Sequence, residues 1–583
     1  MSAVENLIID NLDLWSSAIK SKSSAGRGSN KKIELYGIKK LRELILELAV
    51  RGLLVPQDPS DEPAKDLLKK IATEKIKRIK AGELKRQKPL PAIGDEEKPF
   101  ALPKGWEWTC LYQISEIAPR NNLHDNLEVS FVPMPMVSTS YKGEHDHEVK
   151  IWADIKKGYT HFADGDIGLA KITPCFENSK AAVFKGLKNG FGAGTTELHI
   201  ARPIANTIEP LFILLYLKSP MFLEKGKTKM TGSAGQKRVP TDYFSYNPLP
   251  LAPLAEQRRI VSKVDELMQL CDQLEQHTET TINTRQVLVE QLLAAIKKPE
   301  ATISTTALEL LFANFDSLFT TEHSIEQLKQ SILQLAVMGK LAPQDPNDEP
   351  ASELIKKITT EKNKLIKTGL LKKQKPLPPI SDEEKPFALP KTWEWIRFGE
   401  CVSLKSGSNF SSEQELEFGE IPYCKVSDMN MIDNIHTLTT SSRFINPSDK
   451  ELAHLIPAGS IAFPKRGGAI ATNKKRFITK QIFVDLNVMT ATPYQPMVLS
   501  YVMKWLEHID LASLNSGTSV PQINNKDIEP LCFPCPPLEE QQRIVAKVDI
   551  LMRLCDQLKA DLTRSQSTKL LLADVLAEQT LAV

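Results

Sequence analysis

The stretch PLPAIGDEEKPFALPKGWEW (residues 89–108) returns as PLPPISDEEKPFALPKTWEW (residues 376–395), so the chain carries one half-molecule twice. The match extends upstream: LELAVRGLLVPQDPSDEPAKDLLKKI, from Leu46, recurs as LQLAVMGKLAPQDPNDEPASELIKKI, from Leu333, a shift of 287. Farther on, PLAEQRRIVSKVDELMQLCDQLE, from Pro253, recurs as PLEEQQRIVAKVDILMRLCDQLK, from Pro537, a shift of 284. Two near-identical frames therefore flank two inserts, roughly 109–250 and 396–535, with no visible likeness to each other. A period this long excludes a solenoid of small stacked repeats. A frame kept and an insert changed implies one job done twice, on two different targets.

The length of 583 residues suits about four domains. A charged fraction of 25% and a hydrophobic fraction of 41% describe an ordinary globular chain. Because the net charge is only +2, a nucleic-acid role has to rest on local patches rather than bulk charge. No apolar run reaches the ~18 residues of a membrane span, and MSAVENLIIDNLDLW lacks the apolar core of a signal peptide. The expectation is a cytoplasmic protein whose eight scattered cysteines are reduced thiols.

Helical periodicity gives the frame its elements. Leu41, Leu44, Ile45 and Leu48 recur on one face of a helix within 33–50, with Gly52 as its stop. A second helix begins near Glu62-Pro63 and carries Leu67, Leu68 and Ile71, and KPLPAIGDEEKPFALP then runs as an extended linker. The central copy repeats this plan from Ile325 to Pro390. The inserts show short apolar runs bounded by Gly, Pro and Asn, namely 129–137, 181–186, 460–465 and 480–486, which are strand signals. Each insert also ends near a helix, EPLFILLYLKS (209–219) or PMVLSYVMKWLEHI (496–509), which makes it a compact α+β domain.

A long helix follows each insert. Ile260, Val264, Leu267 and Leu274 in one, and Ile544, Val548, Leu551 and Leu558 in the other, repeat with heptad spacing that suits another helix. Two equivalent seams in one chain favour an intramolecular antiparallel coiled coil. The expected fold is α+β, with two globular domains joined by long helices in a pseudo-two-fold internal repeat. The domain plan is a mobile lead-in at 1–32, helical frame at 33–105, first insert domain at 106–253, central frame at 254–392, second insert domain at 393–537 and a terminal helix at 538–583.

Catalytic motifs are largely missing. The chain has neither a G-x-x-x-x-G-K-[ST] phosphate loop nor a G-x-G-x-x-G dinucleotide turn, and no Asn-Pro-Pro-aromatic tetrapeptide. Asp95-Glu96-Glu97-Lys98 and its copy Asp382-Glu383-Glu384-Lys385 imitate the end of a nuclease site, but a catalytic cluster needs a rigid support and this linker reads as solvated. Cys532 and Cys535 have zinc-knuckle spacing without a second pair, and His145-Asp146-His147 lies in a polar loop, so no metal site is expected.

The inserts hold basic patches. Lys465, Arg466, Lys474, Lys475, Arg476 and Lys480 fall within 452–484, which has no acidic residue at all. Lys218, Lys225, Lys227, Lys229, Lys237 and Arg238 face Glu224 alone within 218–238. Each insert then has a small polar loop before Val-Pro, GSAGQKRVP (232–240) or NSGTSVPQIN (515–524). Such loops offer amide donors to phosphates, while Gln236, Arg238 and Gln522 have side chains suited to base edges. The same residues also fit a solvated basic face beside an ordinary turn.

The repeated frame, with Glu256-Gln257-Arg258-Arg259-Ile260-Val261 and Glu540-Gln541-Gln542-Arg543-Ile544-Val545 as anchors, resembles the specificity subunit of type I restriction–modification systems. The long N-terminal copy of the central repeat is most similar to the type IB subfamily. In the first insert, KITPCFENSKAAVF (171–184) and GAGTTELHIARP (192–203) resemble one class of that family's target recognition domain. The resemblance implies a non-catalytic DNA-recognition subunit whose inserts each read half of a split, asymmetric site in double-stranded DNA. Two methyltransferase subunits would dock on the helical frame and restriction subunits would join them. S-adenosylmethionine, ATP and Mg would be held by those partners, with no cofactor in this chain and no membrane association. The candidate DNA contacts are Lys171, Thr173, Asn178, Lys180, Gln236, Lys237, Arg238, Lys465, Arg466, Lys474, Lys475, Arg476, Thr518, Ser519 and Gln522. The rival readings are a single-chain DNA-modifying enzyme and a protein-interaction scaffold with two variable domains.

Overall fold

The computed structural model describes residues 3–22, 32–84, 90–91, 93–204, 207–233, 235–298, 301–514 and 520–582. They form two compact units, residues 1–282 with 564–583, and residues 283–563. The chain passes between units twice, each time inside a long helix, Leu254–Ile296 (43 residues) or Leu538–Ala582 (45 residues).

In the first unit the frame helix Tyr36–Arg51 buries Ile38, Leu41, Leu44, Ile45 and Leu48, the stripe that its spacing dictates. It stops at Gly52, whose φ of +71° is left-handed and whose absent Cβ would stand 2.8 Å from the Trp106 ring. Gly339 does the same in the second unit, at φ +69° beside Trp393. A side chain at either glycine would push the tryptophan away, which explains why Gly and Trp recur together.

The lead-in departs from expectation. Residues 3–9 and 12–17 are helical, with Ile8, Trp15 and Ala18 buried in the core of the first unit. Lys20–Lys22 pairs antiparallel with Lys32–Glu34. Ile8 and Trp15 lie in two short helices separated at Asp10–Asn11, too short for a helical repeat to show in the sequence. That run, residues 23–31, lies outside the described residues.

Each frame helix is gripped by both long helices. In the first unit, Arg42 pairs with Asp272 and Glu275 of one, while Tyr36 and Lys40 reach Asp574 of the other. In the second, Gln327 of the frame helix Glu322–Val337 donates to Glu290, and Lys329 pairs with Asp556. Residues 272 and 574 thus flank the frame helix of the first unit, and residues 290 and 556 that of the second. Ile260, Val264 and Leu267 are buried and Leu274 half-buried in a core that also takes Ala573 and Ala577. Ile544 and Val548 are buried, and Leu551 and Leu558 half-buried, in a core with Val289, Leu292 and Ile296. The heptad residues of each long helix are therefore part of the core that also holds a frame helix.

The repeated segments, nearly 200 residues apart, converge on one junction per unit. Glu256 accepts from Trp106 Nε1 (3.0 Å) and Gln57 Nε2 (2.7 Å), and Arg259 forks onto Asp61 (3.2 and 2.6 Å). Glu540 accepts from Trp393 (2.8 Å) and Gln344 (2.6 Å), and Arg543 forks onto Asp348 (3.1 and 2.5 Å). Gln257 and Gln541 each accept from the backbone amide before an insert helix, at Glu209 and Val498. Burial raises the Glu256 and Glu540 carboxyls above their usual range, against the hydrogen bonds that lower them.

The two inserts share a core topology although their sequences do not match, the second sheet having four strands in the first insert and three in the second. Each is closed at its root by a two-stranded pairing, Glu107–Thr109 with Leu249–Leu251, or Glu394–Arg397 with Cys532–Cys535. Each has an antiparallel sheet in equivalent order. In the first insert this is Ser115–Ile117, Leu198–Pro203, Ile167–Ala170, Ala181–Val183; in the second it is Val402–Ser406, Val488–Pro493, Ser460–Pro464, Arg476–Ile478. A second sheet in each contains a parallel pair, Glu128–Val132 with Phe191–Gly194, or Ile421–Cys424 with Phe483–Val484. The 129–137 run is strand only to Val132, and Met134–Met136 turns as a 3-10 helix after Pro133. The 480–486 run likewise pairs only at Phe483–Val484.

Candidate nucleic-acid interface

The central strand of each antiparallel sheet is fully buried and ends at a lysine. In the first insert, Lys171 donates its amide to Glu197 O (2.9 Å) and its carbonyl accepts from Val239 N (2.8 Å); two residues on, Thr173 N donates to Lys237 O (2.9 Å). In the second, Lys465 N donates to Asn487 O (2.8 Å), its carbonyl accepts from Ile523 N (2.8 Å), and Gly467 N donates to Pro521 O (2.7 Å). The two main-chain cradles are the same. Each ties the lysine at a strand end to the polar loop that precedes the root of its insert.

This cradle brings Lys171, Thr173, Gln236, Lys237 and Arg238 together. Thr173 Oγ1 accepts from Lys237 N (3.1 Å), and Gln236, Lys237 and Arg238 are exposed. Arg238 forks onto Glu197, Nε to Oε2 at 2.9 Å and Nη2 to Oε1 at 2.8 Å, which raises the guanidinium pKa and holds the Glu197 carboxyl below its usual range. Asn178 is exposed on the turn beyond, and half-buried Lys180 donates to Met134 O (3.0 Å). Glu197 was not apparent as a partner of Arg238 in the sequence, since 41 positions separate them and only the strand pairing joins them.

In the second insert Lys465 donates to Ser406 Oγ (2.8 Å), and exposed Arg466 donates to Gln522 Oε1 (3.2 Å). Gly467, at φ +75°, opens the 3-10 turn Gly467–Thr472, and Lys474 at the turn's far side donates to Asn430. Thr518 and Ser519 lie outside the described residues.

Three cations of the expected patches turn inward, because charge counted along a sequence does not report burial. Lys475 is 7% exposed and donates to Asn473 Oδ1 (2.7 Å) and Ile509 O (2.8 Å), with burial holding its pKa at about 8. Arg476 sits on a strand, half-buried, donating to Lys475 O and Met429 O. Lys218 is buried under Ser179 O (2.6 Å) and Thr139 O (3.3 Å), and burial takes its pKa from 10.5 to about 7. Lys475 and Lys218 are internal props rather than surface contacts, while Arg476 keeps part of its surface in solvent.

Lys218 carries a pH prediction. Between pH 7 and 10.5 the unfolded chain holds this proton and the folded chain does not, so rising pH favours folding across that window. Each unit of depression is worth about 1.4 kcal/mol. Urea midpoints of the parent and Lys218→Met chains at pH 7 and 9.5 are expected to diverge, the parent gaining on the variant at the higher pH. Parallel behaviour would contradict the buried, neutral lysine.

The motifs set aside in the sequence also have structural roles. Glu384 accepts a fork from Arg397 (2.9 and 3.0 Å), which lowers its pKa to about 2, and His145 Nε2 accepts from Lys185 N (3.1 Å) with its ring against Phe184. Among the described residues no group of His, Cys, Asp and Glu is arranged to hold a metal ion, and no helix is long and apolar enough to cross a membrane.

The family model for the type I restriction modification DNA specificity domain matches residues 103–284 and again 390–565, once in each half. The chain belongs to that family. It is 49% identical to the type I restriction enzyme EcoAI specificity subunit of Escherichia coli, over 99% of both chains. It is 47% identical to the EcoEI specificity subunit of the same species, over 99% of this chain and 100% of that one. The solved HsdS subunit from Thermoanaerobacter tengcongensis aligns with 83% of this chain and 98% of its own, at 17% identity and a TM-score of 0.44. As a type I specificity subunit, this chain has a recognition role and not a catalytic one. Both family matches begin at the Pro-Lys-x-Trp segment and end within a long helix, so each spans one insert with its junction.

Proposed function

We propose that each insert of this specificity subunit reads one half of a bipartite, asymmetric site in double-stranded DNA. The supporting observation is the shared cradle: two inserts with unlike sequences present a lysine and a polar loop in the same main-chain frame. A common frame with different side chains is what two readers of different half-sites require. The duplicated junctions and frame helices would offer matching docking faces to two methyltransferase subunits, to which restriction subunits attach. S-adenosylmethionine, ATP and Mg would bind those partners, in the cytoplasm, and the long helices would set the distance between half-sites.

Single-molecule sequencing of methylated DNA from cells carrying this chain and its methyltransferase tests the reading. One split, asymmetric motif is expected, and a continuous motif would refute it. Adding four residues after Lys298, beyond the first long helix, is expected to change the spacer while both half-sequences stay as they were. Altered half-sequences in that variant would contradict the role of the helices as a spacer.

A further inference from the structure

Arg238 and Gln522 stand at the same place in the two inserts. Each directly precedes the residue, Val239 or Ile523, whose amide closes on the carbonyl of the strand-end lysine. Each also forms an isolated antiparallel bridge with the residue after that lysine, Ile172 with Arg238 and Arg466 with Gln522. The backbone environment is therefore shared and only the side chain differs.

The difference has a chemical meaning at a base edge. A guanidinium offers two parallel donors that match guanine O6 and N7, whereas a carboxamide offers one donor and one acceptor that match adenine N7 and N6. Both side chains are held in place. The guanidinium of Arg238 is forked on Glu197 with 44% of the side chain still exposed, and Gln522 accepts from Arg466 while its Nε2 donates to Asn524 Oδ1 (2.7 Å). Holding a polar head before binding lowers the entropy lost on contact. We propose that positions 238 and 522 are equivalent base-reading positions, Arg238 selecting guanine in one half-site and Gln522 selecting adenine at the corresponding place in the other. This inference rests on the two-reader function proposed above. Glu197 is the positioning residue for Arg238.

The test uses the assembled methyltransferase complex and duplexes in which each base pair of the motif is varied in turn. Arg238→Gln is expected to weaken binding to the parent site about 5- to 150-fold, the equivalent of one bidentate base contact. The lost preference should fall on a single G·C pair of one half-site, with the other half unchanged. Gln522→Arg should change a single A·T pair of the other half, in the direction of guanine. Arg238→Lys, which keeps the charge but not the planar fork, should retain affinity for unrelated DNA and weaken the guanine preference. Glu197→Gln combined with Arg238→Gln gives a neutral pair, so a fold disturbed by an unpaired carboxylate is separated from lost recognition. Uniform weakening across all bases, or a preference lost in both halves, would overturn the proposal. If exchanging the whole first insert also left the motif unchanged, the two-reader function itself would have failed.

Discussion

Trp106→Ala is expected to be the most damaging single substitution in the first half of the chain. The indole is buried, its ring lies edge-on to Phe212 at 6.0 Å, and its Nε1 donates to the buried Glu256 carboxylate. Removing a buried aromatic side chain costs about 3–5 kcal/mol, and the carboxylate left with one donor fewer adds about 1–3 kcal/mol. The loss would fall on the first unit's unfolding transition in urea, with Trp393→Ala doing the same in the second. Trp106→Phe separates the contributions: it keeps most of the packing and should lose only the hydrogen-bond share. A Trp106→Ala chain that unfolds at the parent's urea midpoint would mean that the junction does not hold the frame together.

Loss of the strand-end lysines should have the largest sequence-independent effect on DNA binding. Each phosphate neutralised contributes about 0.9 to the slope of log affinity against log salt, hence about 8-fold in affinity between 1 M and 0.1 M salt. Lys171→Ala and Lys465→Ala should each flatten the slope by about 0.9 in the assembled complex, and together weaken binding about 60-fold over that range. Arg466→Ala should add a similar step, since its guanidinium is exposed beside the same cradle. Lys475→Met should leave the slope unchanged because its ammonium is committed to Asn473 and Ile509. An unchanged slope in the Lys171 and Lys465 variants would remove the cradle from the interface.

The frame was largely legible in the sequence. Leu41, Ile45 and Leu48 followed by a glycine mark a helix and its stop because burial and backbone conformation are both local demands. The heptads of Ile260 to Leu274 and Ile544 to Leu558 marked the long helices for the same reason. What the frame helices contribute was not legible. Arg42 with Asp272 and Trp106 with Glu256 join residues more than 100 positions apart, and no spacing rule links them. The common topology of the inserts was hidden for another reason. Their strands run to only two to six residues, and central ones such as Ile167–Ala170 are buried on both faces, so alternation never develops. Lys218 and Lys475 were counted as surface charge because a long aliphatic stem lets an ammonium reach carbonyl groups beneath the surface as readily as solvent.

A recurring cradle with changed side chains places specificity in the inserts and assembly in the frame. Replacing residues 106–253 by the corresponding insert of the EcoAI specificity subunit, with the parent frame and second insert kept, tests that division directly. Methylated sites mapped from cells carrying the hybrid should show one half-site changed, the other half retained and the spacer unaltered. A hybrid that keeps the parent motif, or changes both halves together, would contradict the account of two independent readers on one duplicated frame.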